Sequence, residues 1–168
     1  HVSAPVKGNF LNKLQYRQIA NLIITTGDCI SKNLCTEFRI HHEKIHTIAT
    51  PISEPHYLKS KEEARKDLQS ELGLESNSIF VGQVSVLRGW KGHLYLIESF
   101  KIIASRNPDI HLIIVGDGSM RECLMDTISR NKFKSRIHMI GHRDNVYDYL
   151  CSFSCSVLSS TKNEGIPQ

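Results

Sequence analysis

From residue 78 to the end of the chain, short β-rich runs alternate with stretches whose apolar residues recur every three or four positions. "SIFVGQV" (78–84), "IHLIIVG" (110–116), "RIHMIG" (136–141) and "SCSVLSS" (154–160) carry the strand pattern. Between them "GHLYLIESFKIIASR", "MRECLMDTISRN" and "NVYDYLCSF" carry the helical one, the first with Leu94, Ile97, Phe100 and Ile103 as its expected inner face. "IHLIIVG" is a near-continuous apolar run closed by glycine, which predicts a strand covered on both faces. Strands separated by helices pair in parallel through right-handed crossovers, so the expected fold class is α/β with a Rossmann-like parallel sheet.

Residues 1–52 read as a separate piece. "FLNKLQYRQIAN" is helical, "LIITTG" a strand, "DCISKNLCTEFRI" a helix opened by Asp28 as N-cap, and "KIHTIAT" a second strand. "PISEPHYLKS" interrupts this with two prolines and is the expected linker, before the charged helix "KEEARKDLQSELG". Two domains follow, 1–52 and 53–168, without internal repeats.

Composition narrows the function classes. The 168 residues carry a net charge of +4, spread along the chain, which suits an anionic small partner better than nucleic acid. There is no apolar run of membrane-spanning length and no signal-peptide pattern at the start, so an intracellular location is the default expectation. Five cysteines without a C-x-x-C pair argue against a disulfide framework or a zinc site, and Cys151 and Cys155 are expected to be small buried residues. His41, His42 and His46 lie close together without an acidic or thiol partner at a defined offset, so an exposed turn is the favoured reading over a metal site.

In an open parallel sheet ligands sit beyond the carboxyl ends of the strands, and four loops there carry suggestive residues. In "VSVLRGWKGH", Arg88 and Lys91 precede a helix N-terminus, a natural pyrophosphate site, with Gly89 and Gly92 allowing close backbone approach. In "VGDGSMREC", Gly116 and Gly118 make a tight turn, but position 121 is Arg, so the third glycine of a dinucleotide fingerprint is missing. "GHRDN" offers His142 and Arg143 as a place where a flat base stacks against the main chain. In "STKNEGIPQ", Glu164 can accept hydrogen bonds from sugar hydroxyls, while the amides of Gly165 and Ile166 face an anion. Taken singly, each loop also reads as an ordinary solvated turn.

Taken in order, "VGQVSVLRGWKG", "IIVGDG", "IHMIGHRDN" and "SSTKNEGIPQ" resemble the donor-binding domain of the GT-B retaining glycosyltransferases of family 4, over roughly residues 44–168. The resemblance implies that 53–168 is the donor nucleotide-sugar domain and 1–52 the last part of the acceptor domain. It also implies that Glu164 is the first member of a Glu-x7-Glu motif whose second member falls past Gln168, so a fragment of a longer enzyme is expected. His1, in "HVSAP", matches a histidine that faces the donor sugar in that family. Two departures stand out: "ATPIS" replaces the family's Asn-Gly-(Val/Ile)-Asp, and the strand before Glu164 has Ser154 and "SS" where Asp and Pro-Ser are common.

The reaction so implied moves a sugar from a nucleotide diphosphate to an acceptor hydroxyl with retention. Arg88, Lys91, Glu164 and His1 would be catalytic. Gly116, Gly118, His142, Arg143, Gly165 and Ile166 would bind the donor. No cofactor or metal is expected, because no Asp-x-Asp appears and side-chain cations can neutralise the leaving group. The implied partners are a nucleotide-sugar donor and a carbohydrate or lipid-linked acceptor, in the cytoplasm or at the inner membrane face, with no nucleic acid. A GT-B nucleotide-sugar 2-epimerase and a non-catalytic nucleotide- or phosphate-binding module are the alternatives.

Overall fold

The computed structural model describes residue 6, residues 9–49 and residues 58–162. The expected boundary at 52/53, and His1, Glu164, Gly165 and Ile166, lie outside the described residues. The described residues fall into two compact units, one holding residues 6, 9–49 and 162, the other residues 58–161.

In the first unit, helix α1 (Phe10–Leu14) starts at Asn9, whose side chain accepts the Asn12 amide, and widens into a π-type turn at Gln15–Ile19. Strands β1 (Ile23–Thr25) and β2 (Ile45–Thr47) pair in parallel, Ile23 opposite Ile45, with helix α2 (Asp28–Phe38) as the crossover. Ile30, Leu34 and Phe38 recur every fourth residue and bury one stripe of α2 with Ile23 and Ile40. Asp28 is not the N-cap: Gly27 is, and Asp28 sits in the first turn, where its charge still opposes the helix's positive end.

The second unit opens with helix α3 (Lys61–Leu72), started by a capping box in which the Ser60 hydroxyl takes the Glu63 amide and the Glu63 carboxylate takes the Ser60 amide. The helix stops at Gly73 in the left-handed conformation. Strands β3 (Ile79–Val84), β4 (Ile110–Val115), β5 (Ile137–Gly141) and β6 (Cys155–Ser156) form one parallel sheet in the order β5-β4-β3-β6. Helices α4 (His93–Ala104), α5 (Arg121–Ser129) and α6 (Val146–Ser152) make the crossovers.

The two-residue period of β4 divides its side chains between two cores. Leu112 and Ile114 join Leu96, Ile97, Phe100 and Leu124, whereas Ile113 and Val115 join Leu68, Phe80 and Phe153. Every residue of β4 is buried, as the unbroken apolar run predicts. Each such side chain contributes about 1.5–3 kcal/mol when fully buried.

Three expectations are corrected. Helix α4 buries His93, Leu96, Ile97, Phe100 and Ala104, and leaves Leu94 and Ile103 each 38% exposed. Ile97 and Phe100 lie on the buried stripe as read, whereas Leu94 and Ile103 fall at its margins, because the packing of Leu96 and Phe100 on β4 and α5 sets its centre. Cys155 is exposed and Cys151 half-buried, so neither is a core residue. The last strand is only two residues long, because past Ser156 the chain turns to cover the loop after β3.

At the amino ends of β4 and β5, His111 Nδ1 and His138 Nε2 lie 3.0 Å apart with their rings stacked. Burial, and the neighbouring His111, push the His138 imidazole down to about 4. An unfolded histidine titrates near 6.5. Between those values the unfolded chain takes up a proton that the folded chain refuses, so this contribution is intact above pH 6.5 and is lost as the pH falls toward 4. We predict that the melting temperature falls on acidification from pH 6.5 to 4.5 and that His138→Phe flattens that fall. Equal pH slopes for the two proteins would show that His138 carries none of it.

Candidate functional site

The site is built where β3, β4, β5 and β6 end. Loop 85–92 leaves β3, is anchored by the fully buried Leu87, and tightens into a single 3₁₀ turn at Gly89–Lys91. Arg88 and Lys91 flank that turn, joined by a hydrogen bond from the Lys91 amide to the Arg88 carbonyl. The Arg88 guanidinium lies over the Trp90 ring, 5.1 Å from its centroid, and remains exposed. Gly92 then takes a left-handed conformation (φ 72°) and α4 begins.

Backbone-to-backbone contact between loops sets this geometry. A Cβ on Gly92 would stand 1.9 Å from the Ser159 carbonyl oxygen, so the segment after β6 lies directly against the turn. The Thr161 amide also donates to the Trp90 carbonyl at 2.8 Å. Gly116 and Gly118 do the same for the loop after β4: a Cβ on them would stand 2.0 Å from the Ser85 carbonyl and 2.6 Å from that of Leu87. The Leu87 amide donates to the Asp117 carbonyl, and the Met120 amide to the Leu87 carbonyl. Close approach to the neighbouring loop is thus a sufficient reason for both glycines.

Below the turn sits a polar cluster that the sequence reading did not single out. Gln83 is buried in β3, and its Nε2 donates to the Lys91 carbonyl at 3.0 Å. That carbonyl only accepts, which fixes the amide orientation and leaves Gln83 Oε1 to accept from the Ser159 hydroxyl at 2.7 Å. Ser159 Oγ also lies 2.8 Å from the Lys91 carbonyl. His93, 2% exposed, brings its Nε2 to 3.0 Å from Ser85 Oγ and 3.3 Å from Gln83 Nε2, while its Nδ1 is buried without a partner. Burial, and then the charge of Lys91, lower the His93 imidazole and keep it neutral at physiological pH. The available signal was a glutamine inside an apolar strand and a histidine on the inner stripe of α4, each an unlikely core residue without partners.

The loop after β5 carries His142 and Arg143. Gly141 is left-handed (φ 76°), and His142 is exposed, with Nε2 3.4 Å from Asp144. Arg143 turns back toward α3: its Nε donates to Tyr149 Oη at 2.8 Å and its Nη2 to Glu71, which also accepts from Tyr149. The guanidinium ties α3 to α6. Among the described residues no three His, Cys, Asp or Glu side chains converge as metal ligands, His41, His42 and His46 included. Among the described residues no helix is long and apolar enough to cross a membrane.

The family model described as glycosyl transferases group 1 matches residues 64–168. An uncharacterised glycosyltransferase of Haemophilus influenzae is 29% identical over 168 residues, which cover 99% of this chain and 44% of that protein. One from Methanocaldococcus jannaschii is 34% identical over 77 residues, 46% of this chain and 19% of that protein. Among solved structures, a glycosyltransferase of Rickettsia africae superposes with a TM-score of 0.76 at 18% identity, over 93% of this chain and 43% of that one. The Anabaena protein HepE in complex with UDP-glucose superposes with a TM-score of 0.73 at 22% identity, over 92% and 42%. The chain spans less than half the length of each of these proteins. The α/β fold with parallel Rossmann-like sheets is that of GT-B glycosyltransferase structures.

The two glycines of the turn separate conformational need from sequence likeness. Gly92→Ala is expected to destabilise the protein by at least about 2 kcal/mol in urea titration, because it meets both a left-handed backbone and a carbonyl. Gly89, with nothing within 4 Å of an added Cβ, is expected to accept alanine within about 0.5 kcal/mol. Similar losses at both positions would show that the contact with Ser159 does not constrain the turn.

Proposed function

The chain belongs to the group 1 glycosyl transferases, and from that premise we propose that it supplies the donor-binding half of a retaining enzyme, which moves a sugar from a nucleoside diphosphate to an acceptor hydroxyl. The observation that carries this reading is the Arg88–Lys91 turn, seated at the carboxyl end of β3 and held on two sides by neighbouring strand ends. HepE, similar in fold, is known in complexes with UDP and with UDP-glucose, ligands of the same class.

Departure of a nucleoside diphosphate leaves charge on the phosphoryl oxygens. Two cations held beside the start of α4 stabilise that charge as it develops, and groups fixed in advance do so without reorganisation. Each such contact is worth about 2–4 kcal/mol of barrier. The main chain of 142–143 would receive the base. Glu164, with the amides of Gly165 and Ile166, would orient the sugar, and His1 would act on its reacting side. With the two cations in place the reaction needs no divalent metal. The acceptor is proposed as a sugar or lipid-linked sugar hydroxyl in polysaccharide or glycolipid synthesis. The 2-epimerase and the non-catalytic module draw no support from the family or the related structures.

Calorimetry of this chain with UDP, GDP and ADP tests the donor site directly. Binding of at least one of them is expected. Arg88→Ala and Lys91→Ala should each weaken it about tenfold, equivalent to about 1.4 kcal/mol, and increasingly so at low salt. In an enzyme that includes the whole length, each substitution should lower turnover at least about tenfold. Nucleotide affinity unchanged in both variants, with the fold intact, would remove the two residues from the site.

A further inference from the structure

We propose that Gln83, His93 and Ser159 are positioning residues that aim Lys91 at the diphosphate by fixing its backbone carbonyl, an inference that rests on the donor-site reading above. The ammonium of a lysine sits on a flexible four-carbon stem, and holding it at one point costs side-chain entropy. Where the stem begins therefore matters, and that is set by the orientation of the Lys91 peptide. Gln83 Nε2 donates to that carbonyl at 3.0 Å from within β3, and Ser159 Oγ, 2.8 Å away from beyond β6, shares its single proton between this carbonyl and Gln83 Oε1.

The two donors are themselves coupled. The Ser159 hydroxyl reaches Gln83 Oε1 at 2.7 Å, so the hydroxyl and the carboxamide brace each other around that carbonyl. His93 closes the cluster from the first turn of α4. Its Nε2 lies 3.0 Å from Ser85 Oγ and 3.3 Å from Gln83 Nε2, and Gln83 in turn reaches Ser85 at 3.1 Å. Between Lys91 and His93 the chain is locked by Gly92 in its left-handed conformation against Ser159. The residues on either side of Gly92 are thus tied to one cluster, one through its carbonyl and the other through its ring.

This cluster does something that a filled core would not. A buried polar network is no more stable than apolar side chains of the same volume, and a partly satisfied one is less so. Here the network even tolerates an unpartnered Nδ1 on His93. Its members come from β3, the loop after β3, α4 and the segment after β6, and they meet below the single turn that carries both proposed phosphate-binding cations. Only the Nε2 side of the imidazole is used, which makes the role separable from mere space filling.

The two amide replacements of His93 exploit that asymmetry. His93→Gln places a carboxamide nitrogen near the position of Nε2, whereas His93→Asn reaches only the position of Nδ1, where no partner waits. Two readouts are taken on the natural chain, His93→Gln, His93→Asn, Gln83→Leu and Ser159→Ala: UDP affinity by calorimetry, and hydrogen exchange of the Lys91 amide without ligand. His93→Asn and Gln83→Leu should lose at least about tenfold in UDP affinity and speed Lys91 exchange by at least about tenfold. His93→Gln should recover most of both, and Ser159→Ala should fall between. Amides of β4 serve as the folding control and should keep their protection in every variant. Equal behaviour of His93→Gln and His93→Asn, or natural Lys91 exchange in His93→Asn and Gln83→Leu, would overturn the proposal. If the natural chain binds GDP or ADP rather than UDP, that nucleotide replaces UDP in the affinity readout; if it binds none of the three, the donor-site reading fails, and Lys91 exchange alone still decides whether the cluster holds the turn.

Discussion

Around the end of β3 the structure is organised by one carbonyl, that of Lys91. It accepts from Gln83 in the interior of the sheet, Ser159 after β6 shares its one hydroxyl proton between it and Gln83 Oε1, and the glycine that follows it is pressed against the Ser159 backbone. Without those contacts the loop between β3 and α4 would be an ordinary exposed basic turn. With them its two cationic residues spring from a backbone that three strand ends hold in place. The same economy governs the neighbouring loop, where Gly116 and Gly118 let the chain after β4 lie on the carbonyls of Ser85 and Leu87.

The sheet explains why such a construction is possible. All four strands of the second unit run in one direction, so their carboxyl ends and the helix starts that follow are gathered at one edge. β4, buried along its whole length, gives that edge a rigid floor. The opposite edge carries different chemistry: the stacked His111–His138 pair lies at the amino ends of β4 and β5, where it bears on stability in acid rather than on ligand binding. On the flank, Arg143, Glu71 and Tyr149 bind α3 to α6.

Much of this could be read from the sequence, for physical reasons. Alternating strand and helix periods are local signals, and a run such as "IHLIIVG" has few ways to bury itself other than as a central strand. Arg88 and Lys91 stood out because cations and glycines before a helix form a local pattern. What escaped notice depends on contacts distant along the chain. Nothing near Gly116 indicates that Ser85 will pack on it, nor does "GHRDN" disclose that Glu71, 72 residues away, will take the Arg143 guanidinium. Gln83 and His93 are polar residues in apolar segments, and their partners, the Lys91 carbonyl and Ser159 for Gln83 and Ser85 and Gln83 for His93, are assembled only by the fold. On α4 the periodicity picks out Ile97 and Phe100, which are buried, together with Leu94 and Ile103, which are not, since only packing against β4 and α5 decides which neighbours share the buried stripe.

Family membership and fold place this chain among the group 1 glycosyl transferases, and the proposed chemistry reduces to whether the turn after β3 holds a diphosphate. The most direct measurement is a crystal structure of the chain soaked with UDP. The account predicts phosphoryl oxygens at charge-assisted hydrogen-bond distance, about 2.7–2.9 Å, from Lys91 Nζ and the Arg88 guanidinium, with the Lys91 carbonyl still bonded to Gln83. Diphosphate bound elsewhere on the surface, with both cations turned to solvent, would contradict it.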